Sequence, residues 1–212
     1  MAKINNGILG GFSGKVGTVV GATWRDIDYM RAVAHPRRSP ASSAELLQQA
    51  KMAIVSSFLR PLKGLLNIGF RDFARKKTGA NAAQSYNMKN AVILKDNDVA
   101  ILCSETLVCR GDLPNVKEAV AGPAEKGVVN FAWKDNTGLG KAHAMDKAIL
   151  VVVCHAYDGC IYTMEGGLRG DGAAVIHVSG YSGQEVQTWL SFLSRDGKDI
   201  APSIFTGQFV VA

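Results

Sequence analysis

No long apolar run exists in this chain. The longest strongly apolar stretch, Ala148 to Cys154, is far too short to span a bilayer as a helix. The N-terminus, Met1-Ala2-Lys3-Ile4-Asn5-Asn6-Gly7, has no apolar segment after its single Lys, so no signal peptide is visible. Cytoplasmic synthesis is the expectation, compatible with later incorporation into a particle. Cysteine is scarce, with four among 212 residues. Cys103 and Cys109 are separated by five residues, as are Cys154 and Cys160, whereas zinc knuckles leave two to four between ligands. Buried thiols are the first expectation, because cysteine among apolar residues behaves as a small hydrophobe. A disulfide and a metal site are the alternatives, the latter resting on Cys154, His155 and Cys160 with His143. No metal or cofactor is expected.

Catalytic signatures are also missing. Gly10-Gly11-Phe12-Ser13-Gly14-Lys15-Val16 approaches a phosphate loop, but Leu9 stands where the first glycine belongs and Val16 where magnesium needs a hydroxyl. There is no glycine-flanked nucleophile elbow and no metalloprotease His-Glu pair. Asp135-Asn136 and Asp146-Lys147 fall at turns or strand starts, where such residues are ordinary. The chain is therefore expected not to be an enzyme, with no catalytic residues assigned; a hydrolase or metal protein built on the Cys/His cluster ranks last.

Charge is present but unevenly placed. Residues 1–95 hold 15 Lys and Arg against Asp26, Asp28, Glu45 and Asp72, a balance of +11. Residues 96–212 hold 9 basic against 14 acidic residues, a balance of −5. Such a split favours an anionic or self-complementary partner over a small-molecule pocket. Hydrophobic content of 47% with 20% charged residues fits a globular chain and argues against global disorder.

The first part reads as a strand pair. Val16, Thr18 and Val20 alternate with small residues in a glycine-rich segment, and Ala22 to Arg31 supplies the return with a turn near Arg25-Asp26. His35-Pro36-Arg37-Arg38-Ser39-Pro40 is an extended linker, since each Pro disfavours helix in its predecessor. Ser42 and Glu45 form a capping-box pattern before a helix with Leu47, Ala50, Ile54, Ser57 and Phe58 on one stripe, widened by Leu46 and Ala53. Pro61 breaks or kinks it ahead of Leu62, Leu65 and Leu66, and Asn81 to Val92 reads as a third helix.

From Val99 onward the period becomes that of strands: Val99–Cys103, Thr106–Arg110, Val128–Trp133, Ala148–Cys154, Cys160–Met164, Ala173–Val178, Glu185–Ser194 and Ile204–Val211. Val129, Phe131 and Trp133 alternate, as do Val186, Thr188, Leu190 and Phe192. The fold class is thus α+β, an N-terminal β-hairpin with amphipathic helices followed by an immunoglobulin- or fibronectin-like antiparallel sandwich. The expected domains are 1–95 and 96–212. Trp133, Trp189, Phe131 and Phe192 are read as sandwich core.

Gly14 to Gly21 is similar to small barrel motifs of ribosomal and elongation proteins, in which a glycine turn offers backbone and Lys to RNA. Lys15, Trp24, Arg25, Arg31, Arg37 and Arg38 then form the candidate nucleic-acid site, combining cations with stacking rings. A plain structural hairpin with solvated charges is the competing reading. Arg71 to Lys77 could also meet phosphates.

A longer resemblance runs through Gly11-Phe12-Ser13-Gly14-Lys15-Val16-Gly17-Thr18-Val19-Val20-Gly21, Trp24, Tyr29-Met30-Arg31, Ser85-Tyr86-Asn87-Met88-Lys89-Asn90-Ala91, Arg110-Gly111-Asp112-Leu113, Trp133-Lys134-Asp135-Asn136 and Ser194-Arg195-Asp196-Gly197-Lys198. On these residues the chain resembles an uncharacterised family of about this length, common in Bacteroidota. It is a domain of unknown function, so kinship supplies no chemistry. The first-half pattern also resembles proteins of prophage and mobile-element neighbourhoods. The expected function is a self-associating structural protein, a component of a phage or phage-like particle. The alternative is a nucleic-acid-binding protein using the basic N-terminal region. Partners are accordingly further copies of the chain, or nucleic acid; neither a membrane nor a small-molecule substrate is expected.

Overall fold

The structure is a computed structural model that describes residues 3–4, 11–24, 26–36, 39–95 and 98–212. It divides into two compact units, Met1–Ser42 and Ser43–Ala212. The helices expected to accompany the N-terminal strands therefore belong with the sandwich, and the division falls at 42/43 instead of 95/96.

The first unit is an antiparallel sheet of β1 (Lys3–Ile4), β2 (Phe12–Val16), β3 (Val19–Trp24) and β4 (Ile27–Ala32), in that spatial order. Val16, Thr18 and Val20, expected to alternate along one strand, are instead split by a turn: Gly17 and Thr18 join β2 to β3, with Gly17 at φ +56, a left-handed conformation that tight hairpin turns require. Asp26, at φ +61, sits in the turn before β4, as the sequence suggests. Phe12 lies over Gly21, where a Cβ would meet the Phe12 ring at 2.8 Å. The glycine is thus what lets the ring approach.

In the second unit α1 (Ser43–Leu59) starts directly after Ser42, and Pro61 separates it from α2 (Lys63–Gly69). Its buried side is Val55, Phe58 and Leu59. Ala50, Ala53, Ser57 and Leu46, expected on the apolar stripe, are exposed, because only the C-terminal turns of α1 lie over the core. The third helix, α3 (Gly79–Asn90), begins and ends slightly before its expected bounds: Thr78 caps it, its Oγ1 accepting from the Asn81 N–H at 3.1 Å. A hairpin of β5 (Val92–Lys95) and β6 (Asp98–Ile101) follows.

Seven further strands build the sandwich: β7 (Lys117–Pro123), β8 (Val128–Lys134), β9 (Lys147–Cys154), β10 (Gly159–Thr163), β11 (Ala173–His177), β12 (Glu185–Leu193) and β13 (Ile204–Val210). One sheet runs β10-β9-β12-β13 and the other β11-β8-β7, all pairs antiparallel. This is a sandwich in which the third strand lies beside the fourth and sixth, while the second is flanked by the first and fifth. Val129, Phe131 and Trp133 of β8 face Leu150, Val152 and Cys154 of β9 and Leu190 and Phe192 of β12. Trp133 and Phe192 meet edge to face, centroids 5.5 Å apart, joining the two sheets.

The other side of the β10-β9-β12-β13 sheet is not solvated. Ile149, Val151 and Val153 of β9 and Trp189 of β12 pack under Val55, Phe58, Leu59, Leu62, Leu65 and Leu66. The helices are a third layer. A strand covered on both faces reads as an unbroken apolar run instead of an alternation, which explains Ala148 to Cys154.

Thr106–Arg110, expected as a strand, pairs with no sheet. Side chains and isolated backbone bonds satisfy it instead: the Asn87 amide brackets Leu107, donating at 2.9 Å and accepting at 3.0 Å, the Ser203 hydroxyl accepts from Val108 N–H at 2.9 Å, and the Cys109 carbonyl accepts from the Ser203 N–H at 2.9 Å. Conversely, β7 was not evident from the sequence. Its outer side is exposed, it ends in Gly122-Pro123, and its register shifts between Lys117 and Val120, with Glu118 at φ +57.

Candidate functional site

Register fixes the faces of the N-terminal sheet. Lys15 of β2, Val20 of β3 and Arg31 of β4 are successive cross-strand partners, so they share one face. Two-residue alternation adds Ala22, Trp24, Ile27 and Tyr29 to that face. Of the expected nucleic-acid residues, Lys15, Trp24 and Arg31 thus come together, and Tyr29 joins them. Arg25, Arg37 and Arg38 lie outside the described residues. Trp24 is 42% exposed, Tyr29 43% and Ile27 60%. On the opposite face Val16 is 53% and Met30 70% exposed. Among the described residues of Met1–Ser42, only Gly21 is buried.

A second polar centre, not anticipated from the sequence, is closed inside the sandwich unit. Arg169 is fully buried, its Nε donating to Asp146 Oδ2 at 3.0 Å. One terminal nitrogen donates to Asn136 Oδ1 at 2.7 Å and the other to the Pro114 carbonyl at 3.0 Å. The guanidinium carbon lies 4.2 Å over the Phe192 ring, and Trp133 Nε1 donates to the Arg169 carbonyl at 2.8 Å. Asp146 also accepts from the His143 and Arg195 backbone N–H groups. Burial pulls the guanidinium's pKa down, opposed by the Asp146 carboxylate. Each guanidinium nitrogen is engaged, by Asp146, Asn136 or Pro114, so this centre ties loops to strands.

The cysteines are unpaired. Cys109 is buried and its pKa is pushed up to about 12 by desolvation, while burial also raises Cys103 and Cys160. Cys160 pairs in register with Val153, on the helix side, and its thiol donates to the Pro61 carbonyl at 3.1 Å. Cys154 belongs to the core between the sheets. One strand step thus puts the two on opposite faces, where they cannot share an ion. Among the described residues no three His, Cys, Asp or Glu converge in a metal-binding group. His143 receives the Met145 N–H at Nδ1 and contacts Arg195, and His155 packs against Phe58.

A family model described as a family of unknown function, DUF6266, matches residues 11–207. The chain belongs to this family. DUF6266 membership covers both units, from the glycine-rich β2 to β13, in agreement with the resemblance seen in the sequence. Among curated proteins none matches the chain. Among the described residues no helix is long and apolar enough to cross a membrane.

Proposed function

We propose that this DUF6266 protein is a non-enzymatic structural protein that self-associates through its N-terminal sheet, as a building block of a phage-like particle. One observation carries the reading: a 42-residue unit buries only Gly21 among its described residues while exposing Val16, Trp24, Ile27, Tyr29 and Met30. A small sheet without a core is marginal in water, and apolar side chains gathered on it favour a protein partner. The occupant is a second copy. Residues 1–42 carry six basic residues against two acidic ones, whereas residues 96–212 have a balance of −5. Opposite charge on different parts of one chain suits a head-to-tail contact, which repeats into rings or filaments. Light scattering after nuclease digestion tests it: full-length protein should run well above 22.6 kDa, and residues 43–212 should run as a folded monomer. A full-length chain that stays monomeric at high concentration refutes the proposal.

A second reading, nucleic-acid binding, draws support from the shared face of Lys15, Trp24, Tyr29 and Arg31. Stacking rings beside cations suit single strands. Its signature is a steep loss of affinity with salt, abolished when Lys15 and Arg31 become Gln.

A further inference from the structure

A basic groove lies on the second unit, and none of the residues of the N-terminal face is among its lining. It has a volume of about 340 Å3 and is lined by Phe73, Lys77, Ser85, Tyr86, Lys89 and Arg110, among others. At its centre the Arg110 guanidinium carbon sits 4.0 Å from the Phe73 ring centroid and 4.8 Å from that of Tyr86. Two rings hold one guanidinium, so its rotamer freedom is already spent before a ligand arrives. The chain beneath is equally fixed, because Arg110 N–H donates to the Gly69 carbonyl at 2.8 Å and Tyr86 packs against Phe70. Stacking occupies the faces of a guanidinium and leaves its edge N–H donors in plane for a forked contact. Neither Arg110 nor Lys89 forms an ion pair among the described residues, and no carboxylate is among the lining residues. Arg71, by contrast, donates through one terminal nitrogen to the Gly197 carbonyl at 2.6 Å and has Asp72 3.8 Å from its Nε, while its other terminal nitrogen is buried without a partner.

We infer that this groove binds a phosphate group, held by the Arg110 fork with Lys77 and Lys89 at its sides and the Ser85 hydroxyl as a neutral donor. A pinned guanidinium flanked by ammonium groups matches the planar oxygens and multiple charge of phosphate. The room beyond one phosphate admits a second group, so the source is either a small phosphorylated molecule or the backbone of a nucleic-acid strand. The inference is independent of self-association.

Calorimetric titration of the full chain at low salt, with sodium pyrophosphate, adenosine monophosphate and an oligothymidylate in parallel, tests it. Saturable binding of pyrophosphate is expected, weakened about tenfold or more by Arg110→Gln, the loss of a charge-assisted hydrogen bond. Oligothymidylate binding at least as tight as pyrophosphate assigns the groove to a strand backbone; tighter binding of the two small ligands assigns it to a small phosphorylated molecule. Lys89→Gln, at an exposed position, keeps the test valid if Arg110→Gln fails to fold, and should weaken binding with an unchanged melting temperature. The inference is overturned if none of the three probes binds at millimolar concentration, or if binding survives unchanged in both variants. Lys15→Gln with Arg31→Gln should leave it intact, separating the groove from the N-terminal face.

Discussion

Replacing Arg169 with Met should destabilise the second unit by about 3–5 kcal/mol, because it leaves the Asp146 carboxylate buried without its cation. Arg169 and Asp146 have side-chain exposures of 0% and 1%, so water cannot take over the solvation of the orphaned charge. Three further acceptors lose their donors or their packing: Asn136 Oδ1, the Pro114 carbonyl and the Phe192 face. For a chain of this length such a loss lowers the melting temperature by roughly 6–20 °C. Asp146→Asn removes the charge but keeps an acceptor for the His143 N–H. Asp146→Asn alone strands the guanidinium, whereas the double variant Arg169→Met with Asp146→Asn buries no net charge. The double variant should therefore be more stable than the sum of the singles predicts, by about 2 kcal/mol. Urea unfolding followed by tryptophan fluorescence measures all four proteins, and Trp133, bonded to the Arg169 carbonyl, reports from the site itself. A cost below about 1 kcal/mol for Arg169→Met, or strictly additive singles, would refute the reasoning.

Two other outcomes follow from the thiols and the turns. Cys109 should resist iodoacetamide in native protein and react only on unfolding, with Cys103 and Cys160 slower than a free thiol, as peptide mass mapping would show; rapid native labelling of Cys109 contradicts its burial. The Asp196 carboxyl is held below its ordinary pKa, first by the Ser194 hydroxyl at 2.6 Å, so its stabilising effect exists above the usual carboxylate range and is lost as pH falls through the lowered value. Ser194→Ala should raise that pKa in a carboxyl-carbon titration, and an unchanged value would count against the bond.

Periodicity made the sandwich legible and charge did not mark its limits. Val129-Phe131-Trp133 and Val186-Leu190-Phe192 alternate because one side of each meets the opposite sheet. The run Ala148 to Cys154 pointed to a buried strand, but only packing reveals that a third layer of helices makes it so. Charge changes sign near residue 95, yet the units separate at 42/43, since net charge describes surfaces and the division depends on buried contacts. Thr106–Arg110 is apolar enough to read as a strand; its backbone partners, Asn87 and Ser203, are distant in sequence. Of the candidate site, Lys15, Trp24 and Arg31 were picked out by composition alone; their common face was not legible, because the sequence runs Val16, Thr18 and Val20 as one alternating strand where Gly17 and Thr18 form a turn. The Arg110 groove was not, because Phe73 and Tyr86 lie on separate elements that only the tertiary fold brings beside it.

The three-layer arrangement also decides where the chain can be cut. Removing the helices would expose Ile149, Val151, Val153 and Trp189, all now at most 2% accessible. Returning one large apolar side chain to water costs about 1.5–3 kcal/mol, so four cost roughly 6–12. A whole domain is typically stable by only about 5–15 kcal/mol. Residues 96–212 expressed alone should therefore be insoluble or molten, with strong dye binding and no cooperative melt. Residues 43–212 keep the third layer and should melt cooperatively. Charge composition would favour a cut at 95 and packing one at 42, and circular dichroism melts of the two fragments distinguish them. A cooperative, soluble 96–212 fragment would mean that the helices merely decorate the sheet.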